Sequence, residues 1–113
     1  YPYYSLAYAL CLHHATNFNS GNEFLQRANE ILKTIPESFL KCADYWWVLG
    51  LVNERMQDWE KVELAGKKLV KMDPDDMRGY YLLFRYYAAS TPNFNTKKSE
   101  EYRLKYATLK AKQ

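Results

Sequence analysis

The run Cys11-Leu12-His13-His14 is the first place to look for a reactive centre. Thiol and imidazole groups bind metals and act as nucleophile and base near neutral pH. On a helix, Cys11 and His14 share a face while His13 points elsewhere. A stable metal site takes three or four ligands, and no second cluster along the chain supplies the rest. Cysteine hydrolase chemistry would need a third group to orient the histidine, and nothing identifies one. The expectation is a packed cysteine beside a surface histidine, with no metal, no other cofactor and no enzymatic activity.

The one other cysteine is Cys42, and there is no C-x-x-C pair. That argues against both a disulfide framework and a zinc module. Two reduced, packed cysteines are expected, in a cytoplasmic setting. With 48% hydrophobic and 26% charged residues, the composition is that of a soluble globular domain. No apolar run approaches the roughly 18 residues of a membrane span. The chain opens on Tyr1 rather than Met, as expected of a piece of a longer protein. The net charge is +3. Residues 97–113 hold six basic side chains against two acidic ones, so that segment carries +4 and the body −1.

The elements that must position these side chains read as helices throughout. There are only four glycines, and the prolines fall outside the strong helical runs. No alternating strand pattern is bounded by hairpin turns. Helices are expected over 3–17, 21–34, 40–56, 59–72, 76–90 and 96–111. Asp58 can cap the fourth and Asp75 or Asp76 the fifth, while Pro36 and Pro74 each end a helix. Short links imply antiparallel neighbours, so the helices group as three hairpins in a single domain.

Trp46 and Trp47 are adjacent, about 100° apart on a helix, so they cannot both face one core. Trp46, Leu49 and Gly50 fall on the spacing W-x2-L-G, and Pro74 follows at the end of a 34-residue segment, Ala43 to Asp76. This segment resembles a tetratricopeptide repeat, whose pattern is W-x2-L-G-x2-Y, then A-x3-F, then P. Gln57-Asp58-Trp59 stands where that family usually has glycine, aspartate and an aromatic in the turn between helices. Departures are Asn53 for the tyrosine, Val62 for a small alanine, Gly66 for the aromatic and Leu69 for a second alanine; two add volume and two remove it. A weaker match covers 5–38, with Tyr8 at the tryptophan place. A divergent one starts at Met77 and runs to 111, where Tyr80, Leu83 and Tyr87 match. The resemblance implies an all-α, right-handed stack of about three antiparallel helix hairpins, a solenoid.

In such a stack, the first helix of each hairpin lines a concave groove. The implied groove places are Leu6, Ala9, Leu10 and His13, then Asp44, Trp47, Val48, Leu51 and Arg55, then Arg78, Tyr81, Leu82 and Arg85. Trp47 and Tyr81 are the expected apolar anchors, with Arg78 and Arg85 pairing with carboxylates of a ligand. The expected function is a scaffolding module holding a peptide or partner-protein segment. The alternative is a structural or regulatory segment of a larger protein, its groove filled in cis. Chaperone-binding members of the family clamp a C-terminal carboxylate with Lys, Asn, Asn, Lys and Arg. The matching places here are Ala9, His13, Val48, Arg78 and Leu82, and only Arg78 keeps a matching charge. A chaperone tail is therefore not the expected ligand. In the last helix, Tyr102, Tyr106 and Leu109 follow i, i+4, i+7 spacing, a stripe that can pack on the preceding hairpin. Its basic residues read as a solvated cap, and as weak grounds for nucleic-acid contact.

Overall fold

The computed structural model describes residues 23–88 and 91–113. The helix expected over 3–17 lies outside them, and with it Leu6, Ala9, Leu10, Cys11, His13 and His14. Among the described residues the chain is all-α. It forms α1 (Glu23–Lys33), a 3-10 turn (Glu37–Lys41), α2 (Ala43–Met56), α3 (Trp59–Met72), α4 (Met77–Tyr86) and α5 (Thr96–Ala111).

Each boundary has a local cause. α2 starts at Ala43 rather than at 40, because the residues after Pro36 wind into the tighter 3-10 turn. The carbonyl of Leu40 in that turn accepts the indole N–H of Trp46 at 2.6 Å, tying the turn down onto α2. At the other end of α2, Gln57 adopts the left-handed conformation (φ 62°). Its N–H reaches the Glu54 carbonyl, while that of Asp58 reaches Asn53. This closes the helix with a left-handed C-terminal cap. Asp58 occupies the N-cap of α3 but makes no side-chain cap bond; its carboxylate lies 3.8 Å from Lys61 instead. Asp76 does cap α4, accepting the Arg78 N–H at 3.0 Å. α4 stops at Tyr86, short of the expected 90. The Thr91 hydroxyl donates to the Tyr86 carbonyl at 2.7 Å, taking up an acceptor that the next helical turn would have used. Asn95 caps α5 through the Lys98 N–H.

Consecutive helices α2, α3, α4 and α5 pack each on the next, and α2 also touches α4. Only Gln57 and Asp58 separate the 14-residue helices α2 and α3. A link that short turns the chain straight back, so α2 and α3 run antiparallel, and the short link 73–76 reverses it again. α2 and α4 therefore point the same way and lie side by side.

The core lies between them. Val52, Val62, Ala65, Leu69 and Leu82 are fully buried, and Leu25, Ala28 and Leu32 extend the core to α1. Trp46 is 8% exposed, edge-on to Tyr45 at 5.0 Å and covered by the Lys68 ammonium. The two tryptophans separate as the helical angle requires, Trp46 into the core and Trp47 to the boundary.

Trp46→Ala is expected to destabilise the fold by about 3–5 kcal/mol, through lost burial and the cavity left behind; an unchanged denaturant midpoint would contradict the packing described. Gln57→Gly is expected to stabilise by about 1 kcal/mol, because only glycine adopts the left-handed region without strain. The check is the same denaturation curve, shifted to higher denaturant with an unchanged slope.

Candidate functional site

α2 presents Asp44, Trp47, Leu51 and Arg55 at helical spacing, and α4 presents Arg78, Tyr81 and Arg85. Since the two helices run side by side in the same direction, these rows meet rung by rung. Arg78 Nη1 donates to Asp44 Oδ1 at 2.9 Å, across 34 residues of chain. Trp47 lies edge-to-face with Tyr81, centroids 5.7 Å apart, at the same separation in sequence. Further along, Arg85 Nε donates to Glu54 Oε1 at 2.8 Å. Tyr81 continues the aromatic run to Tyr106 of α5 at 5.5 Å, whose ring carries the Lys110 ammonium above it. The result is a row of three half-buried aromatic rings, from α2 through α4 to α5.

The electrostatics differ from expectation. Arg78 is held as a fork by Asp76, with Nη2 to Oδ2 at 2.7 Å and Nε to Oδ1 at 3.0 Å. These hydrogen bonds, reinforced by the one from Asp44, raise its pKa further. Reciprocally, the Arg78 guanidinium holds the Asp76 carboxyl below the usual range, against the opposing effect of burial. Arg78 and Arg85, expected to await a ligand's carboxylates, are thus paired within the chain. The reason is geometric: the parallel packing of α2 and α4 brings Asp44 and Glu54 within their reach. Burial pushes the Tyr81 hydroxyl pKa up, and the Glu54 charge adds to it, while Arg85 and Arg55 oppose.

Leu51 is 8% exposed, Val48 4% and Leu82 fully buried. These three belong to the interface between α2 and its neighbours, not to an open surface. Asp44 is exposed, and Trp47 and Tyr81 are half-buried. Arg55 is half-buried, its Nε sealed from solvent with no hydrogen-bond partner among the described residues. His13 lies outside the described residues. Helical spacing alone does not mark Glu54 as the partner of Arg85, Asp76 as the fork under Arg78, or Tyr106 as the third ring. Opposite charges 34 residues apart, Asp44 and Arg78, were the signal available for cross-helix pairing.

Among the described residues, no group of three or more His, Cys, Asp or Glu side chains could hold a metal ion, and no helix is long and apolar enough to cross a membrane. In comparisons with known proteins, no family model, curated protein or solved structure matches this chain.

Asp76→Ala removes both the cap and the fork, and is expected to cost about 1–2 kcal/mol at neutral pH. The Asp76 pKa is lower in the folded chain than in the unfolded one. Its contribution is therefore complete above the ordinary carboxylate value of about 3.9 and is lost as the pH falls through the lower, folded value. Stability curves of the two proteins should lie apart at neutral pH and converge in acid. A gap that stays constant into acid would contradict the fork.

Proposed function

We propose that this chain is a protein-interaction module of tetratricopeptide type, holding a segment of a partner protein against the Trp47–Tyr81–Tyr106 face. The observation that carries the reading is the pairing of side chains one repeat length apart, Asp44 with Arg78 and Trp47 with Tyr81. A 34-residue period is the length of that family's repeat. Two further features agree with it. Trp46 is buried at the signature tryptophan place, and Gln57 is left-handed where the family's turn has glycine.

The mechanism is presentation by a rigid surface. Half-buried aromatic rings offer apolar area already fixed in place, so little side-chain freedom is lost on binding. With Arg78 and Arg85 neutralised internally, an acidic tail gains little from them. Recognition rests instead on an apolar side chain of the partner set against Trp47 and Tyr81, with Arg55 and Lys110, which make no ion pair among the described residues, left to meet a carboxylate.

Proteins co-purified with the full-length chain and identified by mass spectrometry supply the candidate partner, which is then titrated. Trp47→Ala should weaken its binding by about tenfold or more, the equivalent of about 1.4 kcal/mol, with helical content retained. Arg78→Lys should have a much smaller effect. Unchanged affinity in the Trp47 variant would overturn the assignment of this face.

A further inference from the structure

A second surface lies on another side of α2, over the edge of the buried Trp46 ring. Along α3, Lys61, Leu64, Lys68, Lys71 and Met72 follow i, i+3, i+7, i+10, i+11 spacing and so form one stripe. Facing it are the 3-10 turn and the end of α1. Between them lie two adjoining cavities that share Leu40 and Trp46 as a common wall. One, of about 230 Å³, is bordered by Lys33, Lys61 and Leu64. The other, of about 560 Å³, is bordered by Lys41, Lys68, Lys71 and Met72.

Five lysines therefore surround two recesses with largely apolar walls, and among the described residues no carboxylate lines either one. Leu64 and Met72 stay 47% and 40% exposed at the rims. The acidic side chains nearby do not offset this charge. Glu63 pairs with Lys67 outside the cavities, and Asp58 reaches only Lys61, at 3.8 Å. Like charges gathered over uncovered apolar surface oppose folding, unless an opposite charge and an apolar cover arrive together.

We propose that this face docks an acidic amphipathic segment of a partner protein. Its apolar side chains enter the two cavities on either side of Leu40 and Trp46, and its aspartates and glutamates pair with the surrounding lysines. The charge of the rim selects the acidic character, and the paired recesses select the apolar residues. A nucleic acid fits less well, since stacking bases need an open aromatic ring, and the Trp46 ring is buried under Lys68. A membrane surface fits less well too, because inserting helices present a continuous apolar face, whereas here Leu64 and Met72 stand out singly among the lysines.

The test is a titration of the isotope-labelled chain with a short synthetic peptide alternating Leu or Phe with Glu or Asp, followed by the indole N–H resonances. The Trp46 signal should move and the Trp47 signal should not. Lys41→Glu combined with Lys71→Glu should weaken the peptide by about tenfold or more with helical content retained, as both side chains are exposed. Replacing the peptide's Glu and Asp with Gln and Asn should abolish the shift in the unaltered chain. The proposal is overturned if the Gln/Asn peptide binds equally well, or if the shift appears at Trp47 instead. It is also overturned if phosphatidylserine vesicles or a single-stranded oligonucleotide bind these lysines more tightly than the acidic peptide.

Discussion

The spacing of α2, α3 and α4 is set by residues that have no side chain. A Cβ on Gly50 would run into the Leu82 side chain and come within 3.2 Å of the Ala65 Cβ, so α3 and α4 both close on α2 at this point. A Cβ on Gly66 would stand 2.9 Å from Leu83 Cγ and 3.3 Å from the Gly79 carbonyl oxygen. On Gly79 it would stand 3.0 Å from the backbone nitrogen of Val70. A side-chain tip can swing aside, but a backbone atom cannot, so the contact of α3 with Gly79 is the hard limit on approach. Each glycine within a helix costs about 1 kcal/mol relative to alanine. The close packing that they permit offsets this. It also brings α2 and α4 near enough for Arg78 to reach Asp44 and for Trp47 to reach Tyr81. The aromatic face thus depends on glycines in the layers beneath it.

Once the helices are that close, charge fixes their register. The Asp44–Arg78 and Glu54–Arg85 pairs bracket the Trp47–Tyr81 contact, one near each end of α2. They are not equal. The Asp44 side chain is 65% exposed, and exposed ion pairs are worth about 0–1 kcal/mol. Glu54 is only 11% exposed, so removing its partner would leave a carboxylate sheltered and unmatched, the costlier loss. The second pair is therefore the stronger lock. It also lies beside Tyr81, where its carboxylate helps to keep the phenol protonated. A surface clamped this way is stiff, and its two best-placed arginines are already satisfied.

The helical layout was legible in the sequence because its signals are local. Pro36, Pro74, the Asp76 cap and the apolar spacing set the element order, and α3 and α5 fall on their expected limits. The stripe Tyr102, Tyr106 and Leu109 does pack inward: Tyr102 stacks on Tyr80 and Tyr87 at 6.2 and 6.0 Å. What escaped the reading depends on how helices sit against one another. Helical spacing puts Asp44, Trp47, Leu51 and Arg55 on one face, but it cannot say that Leu51 and Val48 are buried while Trp47 stays half open. Nor does one helix reveal that Arg85 finds Glu54. The early end of α4 came from Thr91, five residues beyond Tyr86, whose hydroxyl competes with the next helical turn.

The places where the chain departs from the tetratricopeptide pattern it resembles have unequal outcomes. Gly66 stands where an aromatic is usual, and the Leu83 side chain of α4 fills the space it leaves. Val62 and Leu69 are larger than the alanines of the pattern, yet both are fully buried. Those three exchanges stay apolar and are absorbed by the packing around them. Asn53 is different, because it is a polar group in a closed place. Its amide donates to the Leu49 carbonyl at 2.8 Å, while its Oδ1 is buried without a partner among the described residues. An unmet buried acceptor costs about 1–3 kcal/mol. Two residues on, the Arg55 Nε is unmet as well, and two further on Gln57 is left-handed. Three unfavourable features thus fall within five residues at the end of α2. Such a concentration is expected where a sequence serves something other than stability. The same end of α2 carries Arg55 toward Tyr81, so these features sit beside the aromatic face.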